Sequence, residues 1–218
     1  MSRNTTITAK AAILISAAML AGCAFVPDTV HPTYKPATKI TKIPGANAVD
    51  LSLVVKNEKK QHKRVSVTLD GYGIPMAGVY MNVAKDFRTA FEKALEERGF
   101  VIENHANDKM HVAVVHFYLK EQQHLLAPSH TGYAKLNVDI TKGAHSIFAH
   151  TFVAHTKYWQ NGIAVASIGR GKTAELTMNK IVNQIVTDPQ VIDALFRAAG
   201  KTPPTNLGVT VPVSVSAH

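Results

Sequence analysis

The stretch "TGYAKLNVDIT", residues 131–141, alternates apolar and polar side chains with a period of two. Its apolar positions are Ala134, Leu136, Val138 and Ile140. Such alternation is typical of a strand that buries one face and leaves the other in water. After the short turn "KGA", the segment "HSIFAHTFVAHTKYW" (145–159) follows as a second strand. The two segments are therefore predicted to form a β-hairpin.

Other periodic segments lie on both sides of this hairpin. Strand-like alternation occurs at residues 50–56, 64–70 and 110–119, and helical periodicity at 83–99, at 173–186 and after Pro189. Gly99 suits the end of the first helix, and Pro189 suits the start of the last one. The order of elements predicts an α+β domain over residues 49–199, with an antiparallel sheet of about four to five strands packed by two main helices.

The amino terminus has the three parts of a secretory signal peptide. Residues 1–10 carry Arg3 and Lys10 and no acid, and residues 11–21 are apolar except for Ser16. The apolar segment is shorter than the roughly 20 residues that a helix needs to cross a membrane. Residues 1–22 are therefore predicted to be a cleaved signal peptide rather than a membrane span.

This segment ends in Leu20-Ala21-Gly22-Cys23, and Cys23 is the only cysteine of the chain. The sequence resembles the lipobox of bacterial lipoproteins, which are cleaved before the cysteine and carry a diacylglycerol on its sulfur. The resemblance implies cleavage between Gly22 and Cys23 and lipidation of Cys23. Ala24, in place of Asp, implies sorting to the outer membrane with the domain facing the periplasm. The alternative is an ordinary signal peptide followed by a chance cysteine.

Two segments outside the predicted domain lack a core-forming pattern. Residues 23–48 contain four prolines and few large apolar side chains. We expect a lipidated, extended tether that reaches up to roughly 75 Å from the membrane, at about 3.1 Å per residue. Residues 200–218 are predicted to be a disordered tail, because termini fray unless they are tied down. The alternative for the tail is a strand that pairs with the sheet edge of a partner.

The charge balance favours an anionic partner. Lys and Arg number 24 against 15 Asp and Glu, a net charge of +9, and loss of residues 1–22 leaves +7. A periplasmic protein meets no chromosome, so nucleic acid is not the expected partner. Lipid phosphates, lipopolysaccharide and peptidoglycan fit the compartment, as does an envelope protein partner. The alternative is that the excess charge serves solubility alone.

The positive charge is densest in "KNEKKQHKR", residues 56–64, between two predicted strands. The candidate anion-contacting residues are Lys56, Lys59, Lys60, Lys63 and Arg64. This loop could contact lipid or glycan phosphates, and the alternative is a solvated hairpin loop.

No pattern of catalytic or metal-binding residues emerges. "AVASIGRGKT" resembles a phosphate-binding loop but has Ala166 in place of the first glycine, so we expect Gly169 and Gly171 to make the turn into a helix. Among the eleven histidines, His111 and His116 are five residues apart, as are His145, His150 and His155. An odd spacing on a strand places neighbours on opposite faces, which argues against a shared zinc ion. We predict no catalytic residue, metal or cofactor.

The segments "FRTAFEKALEERGFVI" (87–102) and "TAELTMNKIVNQIVTDPQVIDALF" (173–196), with the strand and hairpin between them, are similar to the YajG-like family of outer-membrane lipoproteins. The likeness covers about residues 49–197. It implies a periplasm-facing accessory lipoprotein with no established enzymatic activity and no catalytic residues to carry over.

Two classes of function follow from these features. The first is a non-enzymatic binding or assembly module of the cell envelope, tethered to the outer membrane. The alternative is an envelope hydrolase whose site the sequence does not display; a deep pocket with clustered, pKa-shifted side chains would favour it.

Overall fold

The computed structural model describes residues 26–36, 41–70, 72–122, 128–160 and 166–205. Its strands are β1 (Asp28–Thr29), β2 (Asp50–Asn57), β3 (Arg64–Leu69), β4 (Pro75–Tyr80), β5 (Val101–Ile102), β6 (Asp108–Gln122), β7 (Ser129–Lys142) and β8 (His145–Trp159). Its helices are α1 (Val83–Glu97), α2 (Ala166–Val186) and α3 (Pro189–Ala198), with a short 3-10 turn at Ala46–Ala48. The predicted α+β class is confirmed.

The main sheet has five strands in the order β5-β2-β6-β7-β8. The predicted hairpin is its largest part: β7 and β8 pair antiparallel, with Leu136 opposite Phe152, and turn at Gly143. The sheet is mixed rather than wholly antiparallel, because β2 runs parallel to both β5 and β6. A parallel pair needs a long crossover, and the chain between β2 and β6 includes β3, β4 and α1.

A second sheet of three strands, in the order β1-β4-β3, lies beside β6. Neither β1 nor β4 has a clear signal in the sequence. The β4 segment "PMAGVY" begins with a proline and contains Gly78, two residue types that normally argue against a strand. Gly78 leaves room for the ring of Tyr80, which lies over this position.

All three helices pack on one face of the main sheet, and the core lies between them. The core includes Ala134, Leu136, Val138 and Ile140, the apolar positions predicted for β7. In α1, Phe87 packs edge-on against Phe117 of β6, with ring centroids 5.3 Å apart. The start of α3 follows the sequence signal: Asp188 Oδ1 accepts hydrogen bonds from the N–H groups of Gln190 and Val191, and Pro189 occupies the first turn.

Helix α2 begins seven residues before the predicted start at Thr173. Gly169 and Gly171 therefore lie inside the helix, and the prediction that they form a turn is wrong. Glycine suits this helical position, because a Cβ on Gly169 would overlap the side chains of His130 and Gln160. Glycine at this position lets the helix pack directly against the start of β7.

The segment predicted as an extended tether contributes three buried side chains to the domain, while many of its other described residues are exposed. Val30, Tyr34 and Ile43 are at most 5% exposed and belong to the core. The Tyr34 hydroxyl donates to Asn183 Oδ1 of α2 at 2.7 Å. Prolines withhold backbone donors, but they do not prevent spaced apolar side chains from entering the core. Residues 23–25 and 37–40, and the tail from 206 to 218, lie outside the described residues.

Among the described residues, no helix has the length and apolar character needed to cross a membrane.

Candidate functional site

The face of the main sheet opposite the helices is open to solvent. Side chains alternate along β6, β7 and β8, so that half of them enter the core and the other half point away. On β7, Tyr133, Lys135 and Asn137 alternate with buried residues and are partly or fully exposed. On β8, Val153, His155 and Lys157 are exposed on the same side. This surface is called the open sheet face below.

Three rings form a row across the open sheet face. Tyr133 lies between His116 of β6 and His155 of β8, with ring centroids 5.1 Å and 4.7 Å away. Tyr133 and His155 are directly opposite each other in the strand register. His116 joins the row because a β-bulge after Val114 reverses which side chains of β6 face the core. Aromatic rings with polar edges can both stack against a flat ligand and hydrogen-bond to it.

Because of this bulge, the prediction that His111 and His116 lie on opposite faces is wrong. His111 and His116 were predicted to lie on opposite faces, because their spacing is odd. His111 alternates with Met110 and Val112, which enter the core before the bulge, while His116 is adjacent to Phe117, which enters the core after it. Both imidazoles therefore lie on the open sheet face. Within the described residues, no three His, Cys, Asp or Glu side chains are placed to hold a metal ion.

Around the ring row lies a shallow depression of about 600 Å³. It is lined by His116, Tyr118, Lys120, Thr131, Gly132, Tyr133, His155, Thr156 and Lys157. Lys120 and Lys157 are exposed, and the Lys157 ammonium lies 4.4 Å from the centre of the Trp159 ring. A lining that combines aromatic rings with ammonium groups suits a polar ligand that carries negative charge.

The predicted anion-contact loop is built differently from the sequence expectation. Lys59 is only 6% exposed, and its ammonium donates to the carbonyls of His62 (3.1 Å) and Arg64 (2.9 Å). Burial lowers the pKa of Lys59 to about 8. Lys59 therefore closes the loop from inside, with its ammonium bonded to backbone carbonyls of the loop rather than exposed to solvent.

The other four predicted residues remain accessible to different degrees. Lys56, Lys60 and Lys63 are exposed, whereas Arg64 is partly buried and its Nε donates to Gln61 Oε1 at 3.1 Å. The loop joins β2 to β3, while the depression is formed by β6, β7 and β8. The structure does not bring the loop into the depression.

A buried polar cluster lies at the start of α2, and no sequence pattern predicted it. The Arg170 guanidinium is within 3.1 Å of both Glu121 Oε2 and Asp28 Oδ2. Beside it, His130 Nε2 is 3.1 Å from Gln160 Oε1, and burial lowers the pKa of this imidazole. In the sequence, Arg170 lies within the phosphate-loop-like segment "AVASIGRGKT", and no sequence signal connects it with Asp28. Because the buried ion pairs join β1, β6 and α2, we assign the cluster a structural role.

Cys23 and Gly22, the predicted lipidation and cleavage residues, lie outside the described residues. Val26, where the described chain begins, is 61% exposed.

A family model described as "Uncharacterized lipoprotein" matches residues 36–195 of the chain. No curated protein matches the sequence. The match spans β2 to most of α3 and so includes the whole main sheet.

Several solved structures are similar to this chain. A protein from Xanthomonas campestris is 13% identical, with a TM-score of 0.45, over 74% of this chain and 92% of that one. A minor lipoprotein from Acinetobacter baumannii is 15% identical, with a TM-score of 0.39, over 72% and 95%. The rare lipoprotein B from Shewanella oneidensis is 11% identical, with a TM-score of 0.33, over 69% and 93%. No ligand or activity is carried over from them.

Proposed function

Because this chain belongs to the family described as "Uncharacterized lipoprotein", we propose that it is a lipid-anchored binding module of the bacterial outer membrane, facing the periplasm. The lipobox ending in Cys23 supports the anchor, and Ala24 supports outer-membrane sorting. Two or three acyl chains hold a protein stably at a bilayer, whereas one chain gives only marginal binding.

The observation that carries the binding proposal is the open sheet face. Antiparallel sheets often leave one face in water, but that face is then mostly filled by unrelated polar side chains. Here Tyr133 is flanked by two imidazoles, and the row lies in a depression that two lysines also line. Such a concave surface with convergent polar groups is where a ligand is expected to bind.

The ligand that fits this surface is an acidic glycan. A sugar ring presents a flat apolar side to an aromatic ring and hydroxyl groups to imidazole and tyrosine. Phosphate or carboxylate groups on the glycan would meet Lys120, Lys135 and Lys157. In the envelope, this chemistry occurs in the phosphorylated sugars of lipopolysaccharide and in the carboxylates of peptidoglycan.

We further propose that this binding module has no catalytic activity. Burial raises the pKa of two described carboxyl groups, Asp86 and Asp108, as expected for a general acid. They lie on different elements, Asp86 in the first turn of α1 and Asp108 at the start of β6. Neither lines the depression on the open sheet face.

The test is a binding titration with two soluble probes, deacylated lipopolysaccharide and a muropeptide. We expect saturable, salt-sensitive binding of one of them, because contacts between exposed charges weaken as salt screens them. The variant Tyr133→Ala with His155→Ala should lose binding, while Lys60→Gln with Lys63→Gln, in the loop, should retain it. Unchanged binding by the Tyr133 and His155 variant would refute the proposal for the open sheet face. Failure of both probes would refute the ligand class.

A further inference from the structure

Among the residues that the structure describes, five large apolar side chains are at least half exposed, and all five belong to segments that meet at one end of the main sheet. They are Val26 (61%), Tyr72 (93%), Ile74 (56%), Trp159 (50%) and Ile168 (60%). Single exposed apolar residues are common, but a group of them on one surface marks an interaction site. We call this group the apolar end.

The strand register places Trp159 and the first turn of α2, which includes Ile168, at the same end of the main sheet. Trp159, the last residue of β8, lies opposite Ser129, the first residue of β7. The next residue, Gln160, contacts His130, and both side chains lie against Gly169 in the first turn of α2. Ile168 precedes Gly169, so it extends from the same end of the sheet as Trp159.

The β3–β4 hairpin reaches this end as well. Asn57 at the end of β2 pairs with Val114 in parallel, and Ser66 Oγ of β3 donates to Leu119 O at 2.7 Å. The chain therefore advances along β6 from β2 to β3, which brings the β3–β4 turn near the end of β6. In the turn, Asp70 Oδ1 accepts hydrogen bonds from the N–H groups of Tyr72 (2.9 Å) and Ile74 (2.8 Å). The turn is thus held by its own polar groups, and it presents Tyr72 and Ile74 to the solvent.

The amino-terminal segment enters the domain at the same place. Asp28 pairs with Val79 of β4 in parallel and bonds to Arg170 in α2, so the residues before it run back toward the β3–β4 turn. Cys23 is three residues before Val26, and consecutive Cα atoms are 3.8 Å apart, so the two Cα atoms lie within about 11 Å. Acyl chains on Cys23 would therefore enter a bilayer beside the apolar end.

We propose that the apolar end rests on the membrane surface and fixes the orientation of the domain. This inference depends on the proposed lipidation of Cys23. Val26, Tyr72, Ile74, Trp159 and Ile168 would enter the interfacial region, where aromatic side chains with one polar edge are favoured. Lys120 and Lys157, in the sheet rows next to Trp159, would contact anionic headgroups. The open sheet face would then stand upright from the membrane, with its depression near the lipid headgroups.

Trp159 reports directly on this contact, because it is the only tryptophan of the chain. The experiment uses the lipidated full-length protein in vesicles of phosphatidylethanolamine and phosphatidylglycerol, with and without bromine on the upper acyl chains. We expect Trp159 emission to shift to shorter wavelength relative to the unlipidated Cys23→Ser protein in buffer, and brominated lipid to quench it. Flotation of the same vesicles measures anchoring separately.

Matched variants test the surface itself. Tyr72→Ser with Ile74→Ser should float with the vesicles but lose most of the quenching. Val153→Ser, at an exposed apolar position in the middle of β8, should be quenched like the wild type. Wild-type protein that floats while Trp159 keeps its aqueous, unquenched emission would overturn the proposed orientation. Wild-type protein that does not float would overturn the lipid anchor and the orientation with it.

Discussion

Arg170 Nη2 in α2 lies 3.1 Å from Asp28 Oδ2, and this ion pair joins the amino-terminal segment to the first turns of the helix. The same guanidinium binds Glu121 at the end of β6. Three segments that are far apart in sequence are therefore held by one side chain that is only 7% exposed. The folded unit therefore includes Asp28, which is five residues after the proposed lipidation site Cys23.

Replacement of Arg170 should destabilise the protein strongly. Arg170→Met keeps much of the side-chain volume but leaves the buried Glu121 carboxylate without its guanidinium, a change that typically costs about 3–5 kcal/mol. Arg88→Met, which breaks an exposed pair with Glu92 on α1, should change the free energy of unfolding by less than about 1 kcal/mol. Urea denaturation measures both. Equal losses in the two variants would show that the Arg170 cluster contributes no more than a surface pair.

Two glycines of α2 should respond in opposite directions to alanine. Gly169→Ala places a methyl group against His130 and Gln160, and overpacking of this kind costs about 1–3 kcal/mol. A Cβ on Gly171 meets nothing within 4 Å, so Gly171→Ala should stabilise the helix by up to about 1 kcal/mol. Thermal unfolding shows whether the midpoint temperature of each variant lies below or above that of the wild type. A stabilising Gly169→Ala would contradict the close contact between α2 and β7.

Lys59 should make the stability depend on pH in the alkaline range. Its pKa is about 8 in the folded protein, below the ordinary value of about 10.4. The unfolded chain therefore binds more protons between these values, and the free energy of unfolding should rise as the pH increases from about 8 to 10.4. Lys59→Met should remove this rise, while Lys60→Met, at an exposed position, should keep it. Parallel pH profiles for the wild type and Lys59→Met would contradict a buried ammonium.

Cys23→Ser should release the protein from the membrane. Serine has no thiol for the diacylglycerol, so the protein loses the chains that hold it at the bilayer. Fractionation of cells that express the variant should move the protein from the outer-membrane pellet to a soluble or unprocessed form. Full retention of the variant in the outer membrane, with wild-type processing, would show that Cys23 is not the anchor.

The sequence predicted those elements whose local pattern agrees with their final environment. The hairpin of β7 and β8, the helix α1 and the start of α3 all follow from periodicity and capping residues. The parallel pairing of β2 with β6 could not be predicted, because alternation along one strand carries no information about its neighbours' direction. The early start of α2 was missed because two glycines normally weaken a helix, and the contact that favours Gly169 involves residues 130 and 160.

The candidate site was harder to predict than the fold. Clustered charge drew attention to the loop at residues 56–64, but the sequence does not show that Lys59 turns inward. The row of His116, Tyr133 and His155 comes from three strands and depends on a β-bulge after Val114. A strict period of two cannot locate such a bulge. The spacing rule therefore predicted opposite faces for His111 and His116, which in fact share the open sheet face.

The most direct test of the central proposal is to map the ligand by NMR. In the protein with labelled histidine and tyrosine rings, addition of deacylated lipopolysaccharide or the muropeptide should shift the signals of His116, Tyr133 and His155. The ring of His62, in the loop at residues 56–64, serves as the internal control and should not move. Shifts confined to the three rings on the open sheet face are the result we predict. Shifts at His62 without shifts of Tyr133 and His155 would contradict ligand binding at the open sheet face and would indicate binding at the loop of residues 56–64.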